Sequence, residues 1–280
     1  MITHHHFARA LRLSRLHHHH PERLLVVPLD HSLSDGPVVP RGSTIDRLCG
    51  RLAEGGADAV VVHKGSLRHI HPARLADMSL IVHLNASTAH APDPDAKYMV
   101  TGVEDALRWG ADAVSVHVNM GSSDERRQLA DLGRVADLCD RWNLPLLAMM
   151  YPRGPRITDP RDADLVAHAV TLAADLGADM VKAPCAHTPA EMLDVTAACP
   201  IPLLCAGGPP RDSEAEVADF VRGALLGGAA GIAMGRNIFR APDPRAMTAR
   251  VAGLVHGLPT ENIDHVMEGR GSEYNKAVLA

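Results

Sequence analysis

The stretch GADMVKAP, residues 177–184, sets the problem of the fold. Gly177 closes a helical run, Met180 and Val181 read as a short core strand, and Lys182 ends it. Burying a lysine is costly unless its ammonium is paired or neutral, so either this strand ends at solvent or the lysine has work to do. The same signature recurs as GGADAV from 55, WGADAV from 109 and GGAAGI from 227. Each copy offers a glycine suited to ending a helix, a short link and an apolar run. Between the copies lie LLVVPLDH (24–31), LIVHLN (80–85), LPLLAMMYP (144–152) and IPLLCAGG (201–208). Eight short, almost wholly apolar strands are the pattern of a parallel sheet covered on both faces.

Amphipathic stretches at 44–54, 103–109, 124–142, 162–176, 189–198, 213–226 and 244–256 predict the intervening helices; the weakest lies near HPARLADM after the second strand. Eight strand–helix units predict a single (β/α)₈ TIM barrel over about 20–256. An open doubly wound sheet is the alternative, but LDHSLSDGPVVPRG replaces the glycine fingerprint expected after its first strand. A helix over 7–16 and a tail over 257–280 flank the barrel, suited to plugging its floor or packing on a neighbouring subunit. The histidine run 17–20 reads as a solvated link.

The 280 residues are 46% hydrophobic and 22% charged, as in an ordinary globule, with a net charge of -5 that offers no electrostatic case for nucleic acid or an anionic membrane. No apolar run approaches the ~20 residues of a membrane span, and the N-terminus lacks a secretory signal's apolar centre. Five scattered cysteines, none in a close sequence pair, read as reduced thiols of a cytoplasmic protein.

In such a barrel, chemistry gathers where the strands end at the C-terminal face. The polar residues there are Asp30 and His31, His63 and Lys64, His83 and Asn85, His117 and Asn119, Tyr151 and Arg153, Lys182, Gly207 and Gly208, and Gly235 and Arg236. Of four lysines, Lys97 and Lys276 fall in loop-like or tail sequence, leaving Lys64 and Lys182 as rim candidates. A lysine in an apolar mouth surrenders its proton more readily, and the neutral amine can attack a carbonyl. Lys182 is the preferred nucleophile; the alternative is a strand-end ammonium that reaches solvent or pairs with Asp30. The glycines of AGGPP and MGRN, with Arg236, follow the seventh and eighth strands, where barrels often hold phosphate. Tyr151 suits proton relay or simply covers the barrel top, and Asp30 suits acid–base work or an ion pair. Together these groups fit imine-forming carbon–carbon bond chemistry. His63, His83 and His117 raise a rival divalent-metal site, though no H-x-H or H-E-x-x-H spacing supports it. A sugar-phosphate-binding regulator is a third class.

VPLDHSLSDGP, VVHKGSLRH, LIVHLNASTAHAPDPDAKY, LLAMMYPRGP, GADMVKAP and GAAGIAMGRNIF resemble the archaeal-type class I aldolases, over about residues 20–256. The resemblance implies Lys182 as the Schiff-base lysine, Tyr151 as proton donor and Asp30 as proton acceptor. It also implies substrate and phosphate contacts from Asp30–Ser34, Tyr151–Arg153, Gly207, Gly208, Gly235 and Arg236, no metal or other cofactor, and a large homo-oligomer. His31, Ser34, Arg153 and His117 are the rim groups expected to meet substrate. The likeness is strongest to the actinobacterial branch, which joins dihydroxyacetone phosphate to aspartate 4-semialdehyde on the way to 3-amino-4-hydroxybenzoate. A heptulosonate synthase and a fructose-bisphosphate aldolase are the alternatives. Cys185 departs from the aromatic residue expected three positions after the lysine, which bears on substrate preference.

Overall fold

The computed structural model describes residues 4–257 apart from Pro40; the tail expected over 257–280 lies, beyond its first residue, outside them. The described residues form ten strands: β1 (Leu24–Pro28), β2 (Ala59–Val62), β3 (Ser79–His83), β4 (Asn85–Ala86), β5 (Tyr98–Met99), β6 (Ala113–Met120), β7 (Leu146–Pro152), β8 (Met180–Ala183), β9 (Leu203–Ala206) and β10 (Gly231–Ala233). Eight pair in parallel into a closed barrel of order β1-β2-β3-β6-β7-β8-β9-β10, with β10 returning to β1. β4 and β5 form a separate antiparallel ribbon, Asn85 opposite Met99.

The helices are α1 (His4–Leu16), α2 (His31–Ser34), α3 (Ile45–Glu54), α4 (Val103–Arg108), α5 (Glu125–Trp142), α6 (Ala163–Asp175), α7 (Pro189–Ala198), α8 (Glu214–Leu226), α9 (Arg236–Phe239) and α10 (Pro244–Gly257). Four of them begin one residue later than the amphipathic pattern, and in three of these the residue left out is a side-chain cap. The side chains of Thr44, Asp162 and Ser213 accept the N–H of Arg47, Leu165 and Glu216. The weak stretch after β2 is not an α-helix but two 3₁₀ turns, Lys64–His69 and Pro72–Leu75. Pro72 has no N–H with which to extend a helix through the first turn into the second.

The repeated Gly-Ala-Asp builds the barrel floor. Gly56, Gly110, Gly177 and Gly228 hold φ between +81° and +91°, a conformation that favours glycine. The aspartate that follows clamps its neighbouring strand twice. Asp58 accepts the N–H of Leu25 at 2.6 Å and donates its own N–H to the Leu25 carbonyl. Asp112 does the same with Leu80, and Asp179 with Leu146, the side-chain bonds being 2.9 and 2.7 Å. The fourth copy has Ala230 and keeps only the backbone half, to the Leu203 carbonyl.

With register held, side chains alternate. Leu24, Val26, Ala59, Val61, Ile81, Ala113, Leu147, Met149, Met180, Leu204 and Ala233 fill the barrel interior. Their neighbours Leu25, Val27, Val60, Val62, Val82, Val114, Ala148, Val181 and Cys205 pack outward against the helices. α1 plugs the floor: Leu16 is fully buried in the interior cluster with Leu13 against it. Arg9 holds α1 there through a two-pronged pair with Asp179, at 2.7 and 2.8 Å. The histidine run is a link, as expected, but a tethered one. His18 Nε2 lies 3.0 Å from Ser79 Oγ, and the His19 N–H donates to Asp58.

Asp179 therefore serves α1, β7 and β8 at once. Replacing it with alanine leaves the Arg9 guanidinium only the exposed Asp140, 3.3 Å away, and about 3 kcal/mol of stability is expected to go. Asp112→Ala, which removes a backbone contact alone, should cost nearer 1–2 kcal/mol. Urea unfolding of the two variants checks the difference; equal losses would show that the Arg9 pair adds nothing.

Candidate active site

The inward-facing parity of the strands continues past the apolar layers to their C-terminal ends, where it delivers polar groups. His63 follows Ala59 and Val61; His83 follows Ile81; Ser115 and His117 follow Ala113; Tyr151 follows Met149; Lys182 follows Met180. Lys182 is 5% exposed, with Nζ 4.0 Å from Met149 Sδ and 5.9 Å from the Tyr151 ring centre. Among the described residues it makes no ion pair with Asp30. The two groups interact at longer range, the Lys182 charge helping to keep Asp30 ionised.

Two cavities meet at Lys182. The first, of about 380 Å³, is bounded by Gly207, Gly208, Gly235, Arg236, Arg211 and Cys185. The second, of about 290 Å³, is bounded by Asp30, Ser34, His63, His83, Lys97 and His117. His31, Asp95, Tyr151, Arg153, Lys182 and Arg236 border both. Apart from Lys64 and Asn119, the rim residues expected from the sequence line one cavity or the other.

The first cavity has the makings of an anion cradle. Gly208 sits at φ +71°, and among the described residues neither its N–H nor that of Gly235 bonds another protein group. The Gly207 N–H, expected to help, is instead spent on the Ala233 carbonyl, a continuation of the β9–β10 ladder. Gly235 must lack a side chain, because a Cβ there would lie 2.6 Å from the Pro28 carbonyl oxygen. Arg236 donates to the Gly208 carbonyl at 3.0 Å, bringing its guanidinium over the cradle. Arg211 and Arg161, not foreseen, also border it. Arg211 is stacked 3.9 Å over Phe220, and Arg161 is held by the carbonyls of Cys185 and Ala186.

The second cavity is crowded with titratable groups. Burial alone would raise the Asp30 carboxyl, but His83, His31, Lys182 and His63 outweigh it and hold the group well below the usual carboxylate range. Its Oδ1 is buried without a hydrogen-bond partner among the described residues. Burial pushes His83 down to about 3, and it lowers His63, His31 and His117 as well. At neutral pH the carboxylate is ionised and the imidazoles are neutral. His117 is stacked on Tyr151 at 4.8 Å and bonded to Asn119, whereas His83 is bonded to Ser115. Among the described residues no three of His, Cys, Asp and Glu are arranged to hold a metal ion.

Two sequence expectations need correction. Lys64 is exposed and donates to the Val100 carbonyl, outside both cavities. Lys97, set aside as a loop residue, is buried in the second cavity. The cysteines, scattered in sequence, also include one spatial pair: Cys185 Sγ lies 3.0 Å from Cys205 Sγ at the edge of the first cavity.

The family model described as DeoC/LacD family aldolase matches residues 24–241. The chain belongs to this aldolase family. The aldolase is 59% identical over 254 residues to the 2-amino-4,5-dihydroxy-6-oxo-7-(phosphonooxy)heptanoate synthase of Streptomyces griseus, covering 91% of this chain and 92% of that one. It is 39% identical to 2-amino-3,7-dideoxy-D-threo-hept-6-ulosonate synthase 1 of Archaeoglobus fulgidus, over 89% of this chain and 92% of the relative. Its fold matches an archaeal fructose-1,6-bisphosphate aldolase whose catalytic lysine was captured covalently bound to a carbinolamine intermediate. That match has a TM-score of 0.82 at 26% identity and covers 89% of this chain and 100% of the other. No described helix of the aldolase is long and apolar enough to cross a membrane.

The buried neutral histidines make the aldolase sensitive to acid. A histidine kept neutral in the fold binds a proton on unfolding once the pH is below its ordinary value of ~6.5. Between there and about 3 the unfolded chain holds more protons than the native one at His83, so stability falls as pH falls. The melting temperature should therefore drop from pH 7 to pH 5, and the drop should be smaller in His83→Gln. An identical pH slope in the variant would exclude His83 as a source.

Proposed function

We propose that the protein is a class I aldolase that joins dihydroxyacetone phosphate to L-aspartate 4-semialdehyde, giving a seven-carbon amino keto acid phosphate that feeds 3-amino-4-hydroxybenzoate formation. The observation that carries the reading is Lys182, a buried amine shared by an anion cradle and a polar cavity. The 59% identity to the Streptomyces griseus synthase supports the choice of substrates.

The phosphate sits against the N–H groups of Gly208 and Gly235 under Arg236. The Lys182 amine adds to the ketone carbon, and loss of water leaves an iminium. This cation draws electrons from the adjacent carbon, the task a class II aldolase gives to zinc, so the reaction needs no metal. Asp30 lies on the second-cavity side as a fixed negative charge. A carboxylate held so acidic is a weak base, so we assign it mainly to stabilising the iminium and Tyr151 to the proton transfers. Removal of a proton from the hydroxymethyl carbon gives the enamine, whose carbon attacks the aldehyde. The new alkoxide takes a proton, and water then adds to the iminium, releasing the product and restoring the amine.

Borohydride with dihydroxyacetone phosphate should fix a stable mass on the peptide containing Lys182, with chelators present or absent. Labelling confined to Lys64 or Lys97, or activity that needs added zinc, would overturn the assignment. Incubation with either aspartate semialdehyde or glyceraldehyde 3-phosphate then names the acceptor by product mass; a six-carbon bisphosphate as sole product would exclude the proposed reaction.

Arg236→Ala should raise KM for dihydroxyacetone phosphate roughly tenfold while leaving kcat within a few-fold, since its charge meets the phosphate in ground and transition states alike. An unchanged KM would place the phosphate elsewhere.

A further inference from the structure

We infer that the second cavity is the acceptor site and that Lys97 binds the acceptor's carboxylate; the inference rests on the reaction proposed above. Lys97 is 7% exposed, and its ammonium donates to Ser87 Oγ at 2.6 Å and, at 3.3 Å, to the Pro94 carbonyl. An ammonium has three N–H donors, so these two neutral acceptors leave one unmatched. Among the described residues no carboxylate stands within ion-pair distance of it, although ten arginine–carboxylate pairs are formed elsewhere. Burial and the nearby Arg153 charge push its pKa below the usual lysine range, with Asp95 pulling the other way. A buried cation without a counter-ion is costly to the fold, and an anion in the cavity would supply what is missing.

The surrounding loop is built to hold that cation in place. Between β4 and β5, Asp93 accepts the Asp95 N–H and starts a tight turn. The Asp95 carbonyl accepts from both Asn119 and Gln128, each at 2.9 Å. The Lys97 carbonyl accepts from Arg127 at 3.0 Å. Residues from β6 and α5 thus pin the loop at Asp95 and Lys97, just after Pro94, and its lysine turns inward.

Placement decides which anion this is. Lys97 borders only the second cavity, and Gly207, Gly208 and Gly235 border only the first, with Lys182 common to both. A ketone anchored by its phosphate in the first cavity presents its reactive carbon to the cavity that holds Lys97. That cavity mixes the cations Lys97 and Arg153, and Arg236 on the side it shares with the first cavity, with the carboxylates Asp30, Asp35 and Asp95. Such a mixture matches an amino acid, whose carboxylate and ammonium need opposite partners. A second phosphate dianion would face three carboxylates.

The test is the pair Lys97→Met and Lys97→Arg, with wild type beside them. Lys97→Met should raise KM for aspartate semialdehyde roughly 10- to 100-fold, while borohydride trapping of dihydroxyacetone phosphate on Lys182 and the KM for that ketone stay unchanged. Lys97→Arg should recover part of the loss. Wild type should also use 3-aminopropanal, the same aldehyde without its carboxylate, with a KM raised by a similar factor, and this comparison needs no variant to fold. An acceptor KM unchanged in Lys97→Met, or wild type taking both aldehydes equally well, would overturn the inference while the trapping result leaves the reaction standing. Loss of glyceraldehyde 3-phosphate use alone would overturn the carboxylate in favour of a phosphate. Wild type that traps no ketone at all overturns the reaction and this inference with it.

Discussion

The two-bond clamp between an aspartate at the barrel floor and the neighbouring strand is the contact on which the rest depends. Asp58, Asp112 and Asp179 tie β1 to β2, β3 to β6 and β7 to β8, one clamp in three of the four successive strand pairs. A strand slipped by one residue presents its other face, so register here is also chemistry. Shift β8 by one and Val181 would point into the mouth while Lys182 met the helices. The clamps stand at the floor, the opposite end of the strands from the reactive groups. They can therefore be strong and rigid without constraining the loops that meet substrate.

The apolar interior below the mouth shapes what those groups can do. Met149, Met180 and Leu204 fill the interior beneath the strand ends, so the polar groups there are largely buried. Charge then persists only where neighbours favour it. The imidazoles stay neutral, and Asp30 stays ionised because several positively polarised partners face it. The site comes to hold an ionised carboxylate and the buried Lys182 side by side.

Much of this was legible in the sequence, and the failures have physical causes. The four glycine signatures and the apolar runs located all eight barrel strands, because periodicity and helix-ending glycines are local properties. Lys182, Tyr151 and Asp30 were legible because the strand ends of a barrel converge. The aspartate of the signature was visible but its role was not, since a clamp is defined only once the partner strand is placed. Lys97 was discarded for its loop-like surroundings, Pro94 and two aspartates among them; its burial depends on Asn119, Gln128 and Arg127, more than twenty residues away. Cys185 and Cys205 failed for the same reason: strand register, not sequence spacing, brings their sulfurs together. Arg211 follows Gly208 by three residues, and a wider view of that turn would have included it.

The division of the mouth has a geometric consequence. β6 and β7 share seven residue pairs, the longest ladder in the barrel, and run on to Met120 and Pro152. Their extra length raises a lip, from which His117 and Tyr151 stand stacked beside Lys182. A planar enamine on that lysine, its phosphate held on one side, exposes one face to the cavity opposite. The aldehyde, fixed by its own polar groups, likewise offers one face in return. Under the proposed reaction both new stereocentres are written by the length of two strands, and their handedness is a property of the backbone before it is one of any catalytic side chain.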